Sequence, residues 1–219
     1  MFRFYKTISE LNGETILREI SIPDLKKITN ILVIDDHEFD YLKDLQKYDF
    51  HIRQKYDLTD LSDAAEYDII LCDIRGVGKF LNSKFDGANL IRQLRVKYPK
   101  KIIVAYTAES YDAEFEPYFD FATKIIAKGA YTIESWVALL ETFIKSLADP
   151  VDQWKKTRQT LLDAGVSTIQ VAKYESAYVT AVKNGKYESL KKLYTSKKDT
   201  GSKIMLELIM YLIERNIKK

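Results

Sequence analysis

The sequence predicts an α/β protein: a doubly wound, five-stranded parallel sheet followed by a small all-α domain. Three observations carry this expectation. Short apolar runs alternate with amphipathic segments of helical length between residues 31 and 148, the order that successive βαβ units produce. Those runs, Ile31-Leu32-Val33-Ile34 and Ile69-Ile70-Leu71-Cys72 foremost, have no polar alternation, so they read as strands covered on both faces. Beyond Asp149-Pro150 the strand pattern stops and only helical periodicity remains.

Taken in order, residues 1–30 form an N-terminal extension. Ile8-Ser9-Glu10-Leu11 and Glu14-Thr15-Ile16-Leu17 flank Asn12-Gly13, which reads as a hairpin around a type I′ turn in preference to the competing reading, one helix broken at Gly13. Pro23-Asp24-Leu25-Lys26-Lys27 suits a helical turn leading into the first strand. After that strand, Asp40–Tyr48 carries Leu42 and Leu45 at helical spacing, and Phe50–Arg53 alternates like a short strand. Leu58–Ala65 reads as a helix opened by Thr59 or Asp60. Ile69–Asp73 is the next buried strand, and Ile74–Asp86 is a polar loop containing glycines. Gly87–Lys97 places Leu90, Ile91 and Leu94 on one helical face. Strands follow at Lys101–Tyr106, ending at Thr107, and at Thr123–Ala127, ending at Lys128. Thr132–Leu147 closes the 31–148 domain as an amphipathic helix. The 151–219 segment reads as four helices, with Gly165, Gly185 and Gly201 as stops.

Composition narrows the function classes. The 219 residues are 46% hydrophobic and 30% charged, with a formal net charge of +2, ordinary values for a globular protein. The charge is uneven: from Val151 onward there are 14 Lys and Arg against 7 Asp and Glu. Cys72 is the single cysteine, which excludes an intrachain disulfide and a thiolate metal cluster. The two histidines, His37 and His51, fall in different local contexts, which argues against a histidine-based zinc site. Met1–Lys6 lacks the apolar core of a signal peptide, and no apolar run is long enough to span a bilayer. The expected location is cytoplasmic, without membrane association.

The chemistry gathers at strand ends. Asp35-Asp36, Asp73, Thr107 and Lys128 each terminate an apolar run, and in a parallel sheet those ends share the edge where ligands bind. Carboxylates with carbonyls make a hard-oxygen site suited to Mg²⁺. One carboxylate can attack phosphorus to give an acyl phosphate, while a hydroxyl and an ammonium bind phosphoryl oxygens.

These residues carry a resemblance. Ile-Leu-Val-Ile-Asp35-Asp36, Ile-Ile-Leu-Cys-Asp73, Phe85-Asp86-Gly87 with Leu90-Ile91, Val-Ala-Tyr-Thr107-Ala108 and Ile-Ile-Ala-Lys128 occur in the order seen in the receiver domain of bacterial two-component response regulators, a flavodoxin-like fold. The resemblance covers residues 31–148. It implies that Asp73 is the phosphoacceptor, that Asp35, Asp36 and Asp73 hold Mg²⁺ with the backbone carbonyl of Arg75, and that Thr107 and Lys128 contact the phosphoryl group. It implies a phosphoacceptor protein, limited to self-directed phosphoryl transfer and autodephosphorylation, whose donor is a histidine kinase or phosphotransfer protein. The chain departs from the family pattern in its long Ile74–Asp86 loop, in Gly129 where proline is usual, and in Ile125 where an aromatic often stands.

Gly76-Val77-Gly78-Lys79 lacks P-loop spacing and reads as a flexible insertion. Cys72 reads as an inert buried thiol, and His37 as exposed and not a phosphodonor. The tail cations Lys155, Lys156, Arg158, Lys191, Lys192, Lys197 and Lys198 are explained more simply by a solvated face than by nucleic-acid phosphates, and no helix-turn-helix signature accompanies them. The apolar run Ile204–Ile213 suits packing on the other tail helices and on a second copy of the chain. Output is expected through contacts of the tail with a downstream protein.

Overall fold

A computed structural model describes residues 5–11, 21–81, 85–107 and 115–216. The chain divides into two compact units, 22–144 and 1–21 with 145–219.

The first unit is built on a five-stranded sheet with all neighbours parallel: β1 (Asn30–Ile34), β2 (His51–Lys55), β3 (Ile69–Asp73), β4 (Ile102–Thr107) and β5 (Lys124–Ala127), in the order β2-β1-β3-β4-β5. That is the flavodoxin-like order, with the switch point between β1 and β3. Between the strands lie α1 (Ile22–Ile28, before β1), α2 (Leu42–Lys47), α3 (Asp86–Lys97), α4 (Glu116–Phe119) and α5 (Ile133–Ala148, after β5). β1, β3 and β4 are almost wholly buried, as their unbroken apolar runs require. Strand alternation sends Leu32, Ile34, Ile70, Cys72, Ile103 and Ala105 into one core with Leu90, Ile91 and Leu94 of α3. On the other face Tyr106 packs edge-on against Phe39 and against Trp136 of α5, at 5.5 and 5.6 Å between ring centroids.

Two expectations fail in this unit. The helix over Leu58–Ala65 is only a 3-10 turn, Leu61–Ala64. Asp60 accepts the Ser62 N–H at 2.6 Å and Asp63 accepts from Thr59, so short polar side chains capture the backbone before an α-helix propagates. Strand β2 also runs to Lys55, two residues past its expected end.

The second unit contains α6 (Pro150–Asp163), α7 (Thr168–Lys183), α8 (Tyr187–Thr195) and α9 (Thr200–Asn216). Trp154 stacks on Tyr178 at 5.2 Å, and Met205, Leu208, Ile209 and Leu212 of α9 are buried in the same core. The apolar run in the last helix is therefore used within the tail. Gly165 and Gly185 follow helix ends with φ of +76° and +62°, but Gly201 lies inside α9. Its lack of a side chain serves packing instead: a Cβ there would sit 2.8 Å from the Tyr174 ring.

The first expected strand of the N-terminal hairpin is not a strand. Ile8–Glu10 is a 3-10 turn, and the remainder of the proposed hairpin from Asn12 lies outside the described residues. Glu10 accepts the Thr7 N–H at 3.1 Å and also meets Lys183 at 2.7 Å. Glu175 accepts the Ile8 N–H at 2.6 Å, and Leu11 joins the helical core. Residues 5–11 thus belong with the tail, and the contact division differs from the expected 1–30, 31–148 and 151–219 at both joins. Thr7-x-x-Glu10 is a helix-start pattern, and it accounts for the turn at Ile8–Glu10. Among the described residues, no helix is long and apolar enough to cross a membrane.

Candidate functional site

The site lies where β1, β3, β4 and β5 end. Ile34 pairs with Cys72, Asp73 with Tyr106, and Thr107 with Ala127, so the register itself brings Asp35 beside Asp73 one step further along. Asp35 and Asp73 are buried, with side chains 3% and 9% exposed. The Lys128 ammonium donates to both, at 2.6 Å to Asp35 Oδ2 and 2.5 Å to Asp73 Oδ2. Lys128 is held in turn by its backbone, whose N–H donates to the Thr107 carbonyl at 2.5 Å. Thr107 is buried at the end of β4.

Burial pushes the Asp73 carboxyl above its ordinary range, and the Asp35 charge adds to this. Hydrogen bonding and charge from Lys128, and the Arg75 N–H at 3.3 Å, oppose it without cancelling it. For Lys128, burial works against the charged form. Its bonds to Asp35 and Asp73 outweigh that, and its affinity for the proton rises. Cys72 is fully buried, and burial pushes its thiol well up, with Asp73, Asp57 and Asp35 contributing; it is not poised as a nucleophile.

Asp36 points elsewhere. Its Oδ1 lies 2.9 Å from His37 Nδ1 and its Oδ2 lies 3.8 Å from Lys79 Nζ. Asp35, Asp36 and His37 each offer a ligand atom within 4.8 Å of one another; Asp73 is not in that group and is linked to Asp35 by the Lys128 ammonium that both accept from. The donor set is dominated by carboxylate oxygens, which fits a hard divalent cation such as Mg²⁺ and not a thiolate-loving metal. Arg75 places its guanidinium over the Phe115 ring at 5.3 Å, away from its own backbone contact to Asp73.

The tight entry of α3 shapes the loop after Asp73. A Cβ on Gly87 would sit 1.9 Å from the Asp73 carbonyl oxygen, so only glycine lets the helix start this close to Asp73. Gly129 has φ of +79°, and no peptide bond among the described residues is cis. Lys128 is steadied from the side instead, with its ammonium 5.0 Å from the centre of the Tyr106 ring. Ile125, where an aromatic was absent, is half exposed.

Two contributors, Asp57 and Lys79, carry no signal in the sequence. Tyr106 is legible beside Thr107 with alternation turning it to the opposite face, where it packs on Phe39 and Trp136; its register partner is Asp73. Asp57 accepts the backbone N–H groups of Gly78 and Lys79, at 2.6 and 3.0 Å. The sequence pattern ends the preceding strand at Arg53, so Asp57 does not read as another strand-end carboxylate. Lys79 reads as part of a flexible insertion. In fact, Gly76–Lys79 is anchored by Asp57 and by Val77, which is fully buried; Lys84 and Ala108 lie outside the described residues.

No family model matches the chain, and no curated protein matches it in sequence. Solved structures similar to it include a response regulator from Thermotoga maritima, with 18% identity and a TM-score of 0.44 over 54% of this chain and 98% of that one. Another is the BeF3-activated receiver domain of Klebsiella pneumoniae RstA, with 21% identity and a TM-score of 0.44 over 53% of this chain and 98% of that one. A response regulator from Burkholderia pseudomallei, solved with a phosphorylated aspartic acid, a calcium ion and citrate, has 22% identity and a TM-score of 0.42 over 66% of this chain and 89% of that one. Many of the similar structures are receiver domains of response regulators, covering about 54% of the chain.

Proposed function

We propose that this chain is a response regulator of a phosphorelay in which Asp73 accepts the phosphoryl group. The observation that carries the reading is the Lys128 ammonium, which bridges Asp35 and Asp73 at 2.6 and 2.5 Å on an edge that also holds Asp36 and Thr107. An ammonium held by two buried carboxylates is already placed for the charge that arrives with a phosphoryl group.

In the reaction, an Asp73 carboxylate oxygen attacks the phosphorus of a phosphohistidine on a kinase or phosphotransfer protein. The new P–O bond forms as the P–N bond breaks, and that electron pair leaves with the imidazole. Lys128 moves its hydrogen bond from the Asp73 carboxylate to a phosphoryl oxygen while keeping Asp35. Thr107 offers its hydroxyl to a second oxygen. Asp35, Asp36 and Asp73, with the backbone carbonyl of Arg75, would hold Mg²⁺, which supplies charge neutralisation to the transferring group. Asp35 and Asp36 serve as ligands and are not phosphorylated themselves.

The helical tail is the part through which a phosphorylated chain would contact a downstream protein. The tail lysines are in part locally engaged, Lys155 with Asp152 at 3.5 Å and Lys191 with Glu188 at 3.7 Å, which favours a solvated face over a nucleic-acid surface. The test is incubation of the full chain with acetyl phosphate and Mg²⁺ followed by intact-mass measurement. One acid-labile, hydroxylamine-sensitive phosphoryl group, absent from Asp73→Asn, is expected. Absence of any adduct, or an adduct that survives Asp73→Asn, contradicts the reading.

A further inference from the structure

Gly76-Val77-Gly78-Lys79 takes no part in the chemistry just described, yet it is built onto the site. Asp57 clamps the N–H groups of Gly78 and Lys79. Gly78 has φ of +82°, and a Cβ there would sit 2.9 Å from the Asp86 carbonyl oxygen. Val77 is fully buried. Gly76 has φ of +73°, and a Cβ on it would lie 2.1 Å from Asp36 Oδ2, so the loop backbone rests directly on the Asp36 carboxylate. These contacts fix the start of the Lys79 side chain, while the side chain itself is 62% exposed and free to swing. Its ammonium reaches 3.8 Å from Asp36 Oδ2.

Two lysines therefore divide three carboxylates between them. Lys128 takes Asp35 and Asp73, and Lys79 takes Asp36. We propose that Lys79 is a tethered competitor for the divalent cation: it occupies Asp36 in the metal-free protein and must swing into solvent when a metal binds. The inference rests on the reading that Asp35, Asp36 and Asp73 hold such a cation. Because the Lys79–Asp36 contact is exposed and longer than a direct hydrogen bond, it weakens metal binding without blocking it. A unit charge a few ångströms from a doubly charged ion in a solvent-screened setting changes affinity by about three- to tenfold. The effect shrinks as added salt screens the ammonium.

The experiment is isothermal titration of the full chain with MgCl2 at low ionic strength, for wild type, Lys79→Ala and Lys79→Arg. Lys79→Ala should tighten Mg²⁺ binding about three- to tenfold, and Lys79→Arg, which keeps the charge, should stay within about twofold of wild type. Mg²⁺ binding by Lys79→Ala no tighter than wild type overturns the competitor role and leaves the phosphoacceptor reading standing. Equal tightening by Lys79→Arg also overturns it, because charge would not be the cause. No Mg²⁺ binding by any of the three proteins overturns both.

Discussion

Replacing Lys128 with methionine isolates the electrostatics at the centre of this account. The substitution keeps most of the apolar stem and removes the ammonium, leaving Asp35 and Asp73 side by side with side chains only 3% and 9% exposed. Removing one partner from a buried ion pair costs roughly 3–5 kcal/mol, because the remaining charge is left uncompensated. Protonation limits that cost. Raising a carboxyl from its ordinary value of about 3.9 to neutrality is about three pKa units at about 1.4 kcal/mol each, or roughly 4 kcal/mol. Asp73 is the group that protonates, since burial already pushes its pKa up even with Lys128 present. At pH 7 the variant should therefore lose about 3–4 kcal/mol.

The sign with pH follows. A carboxyl whose folded pKa is raised above its unfolded value destabilises the fold at high pH, and the penalty is relieved as pH falls through the folded pKa. At pH 5 only about one unit separates the solution from an ordinary carboxyl, so the cost should shrink to about 1.5 kcal/mol. Urea unfolding in a Trp154→Phe background reports the right unit, because Trp136 lies in 22–144 and Trp154 in 145–219. Adding Asp73→Asn should recover most of the loss at pH 7. A cost below about 1 kcal/mol at pH 7, or one that does not change between pH 7 and pH 5, would refute the reasoning.

Two further perturbations test the scaffold. Gly87→Ala drives a methyl group to 1.9 Å from the Asp73 carbonyl and 2.8 Å from Val77 Cγ2. Backbone must shift at Asp73, the proposed acceptor, so unfolding should become easier by about 1–3 kcal/mol, with a slower rate of phosphorylation; wild-type values for both contradict the packing argument. Glu10 has its pKa lowered by its hydrogen bond to Lys183 and then by the Thr7 N–H. Its contribution is present above the unfolded carboxylate range and is lost as pH falls through the lowered folded value. The gap in urea midpoint between wild type and Glu10→Gln should thus be open at pH 6 and should narrow as pH falls below the ordinary carboxylate range, and a gap of constant size contradicts it.

Much of the fold and the outline of the site can be read from the linear sequence, for a specific reason. Buried parallel strands announce themselves as unbroken apolar runs, and each run ends at the residue that faces the ligand edge. Asp35, Asp73, Thr107 and Lys128 are therefore visible without knowing any contact. Asp57 and Lys79 are not, because β2 is an edge strand with exposed positions and gives no apolar run to mark its end. The pinning of Gly76–Lys79 depends on hydrogen bonds from backbone N–H groups, which every residue has and no side-chain pattern reveals. The direction of Tyr106, away from Thr107, follows from strand alternation, whereas its cross-strand register with Asp73 does not show in the sequence. The conformation of Ile8–Glu10 is not legible locally, because Ile8 and Glu10 are claimed by Glu175 and Lys183, more than 160 residues away.

The central claim is that Asp73, and neither Asp35 nor Asp36, becomes phosphorylated. Borohydride reduction of the chain after treatment with acetyl phosphate and Mg²⁺ converts an aspartyl phosphate to homoserine, and peptide sequencing by mass spectrometry then locates it. The account predicts homoserine at position 73 alone. Homoserine at position 35 or 36, or at no position, would contradict it.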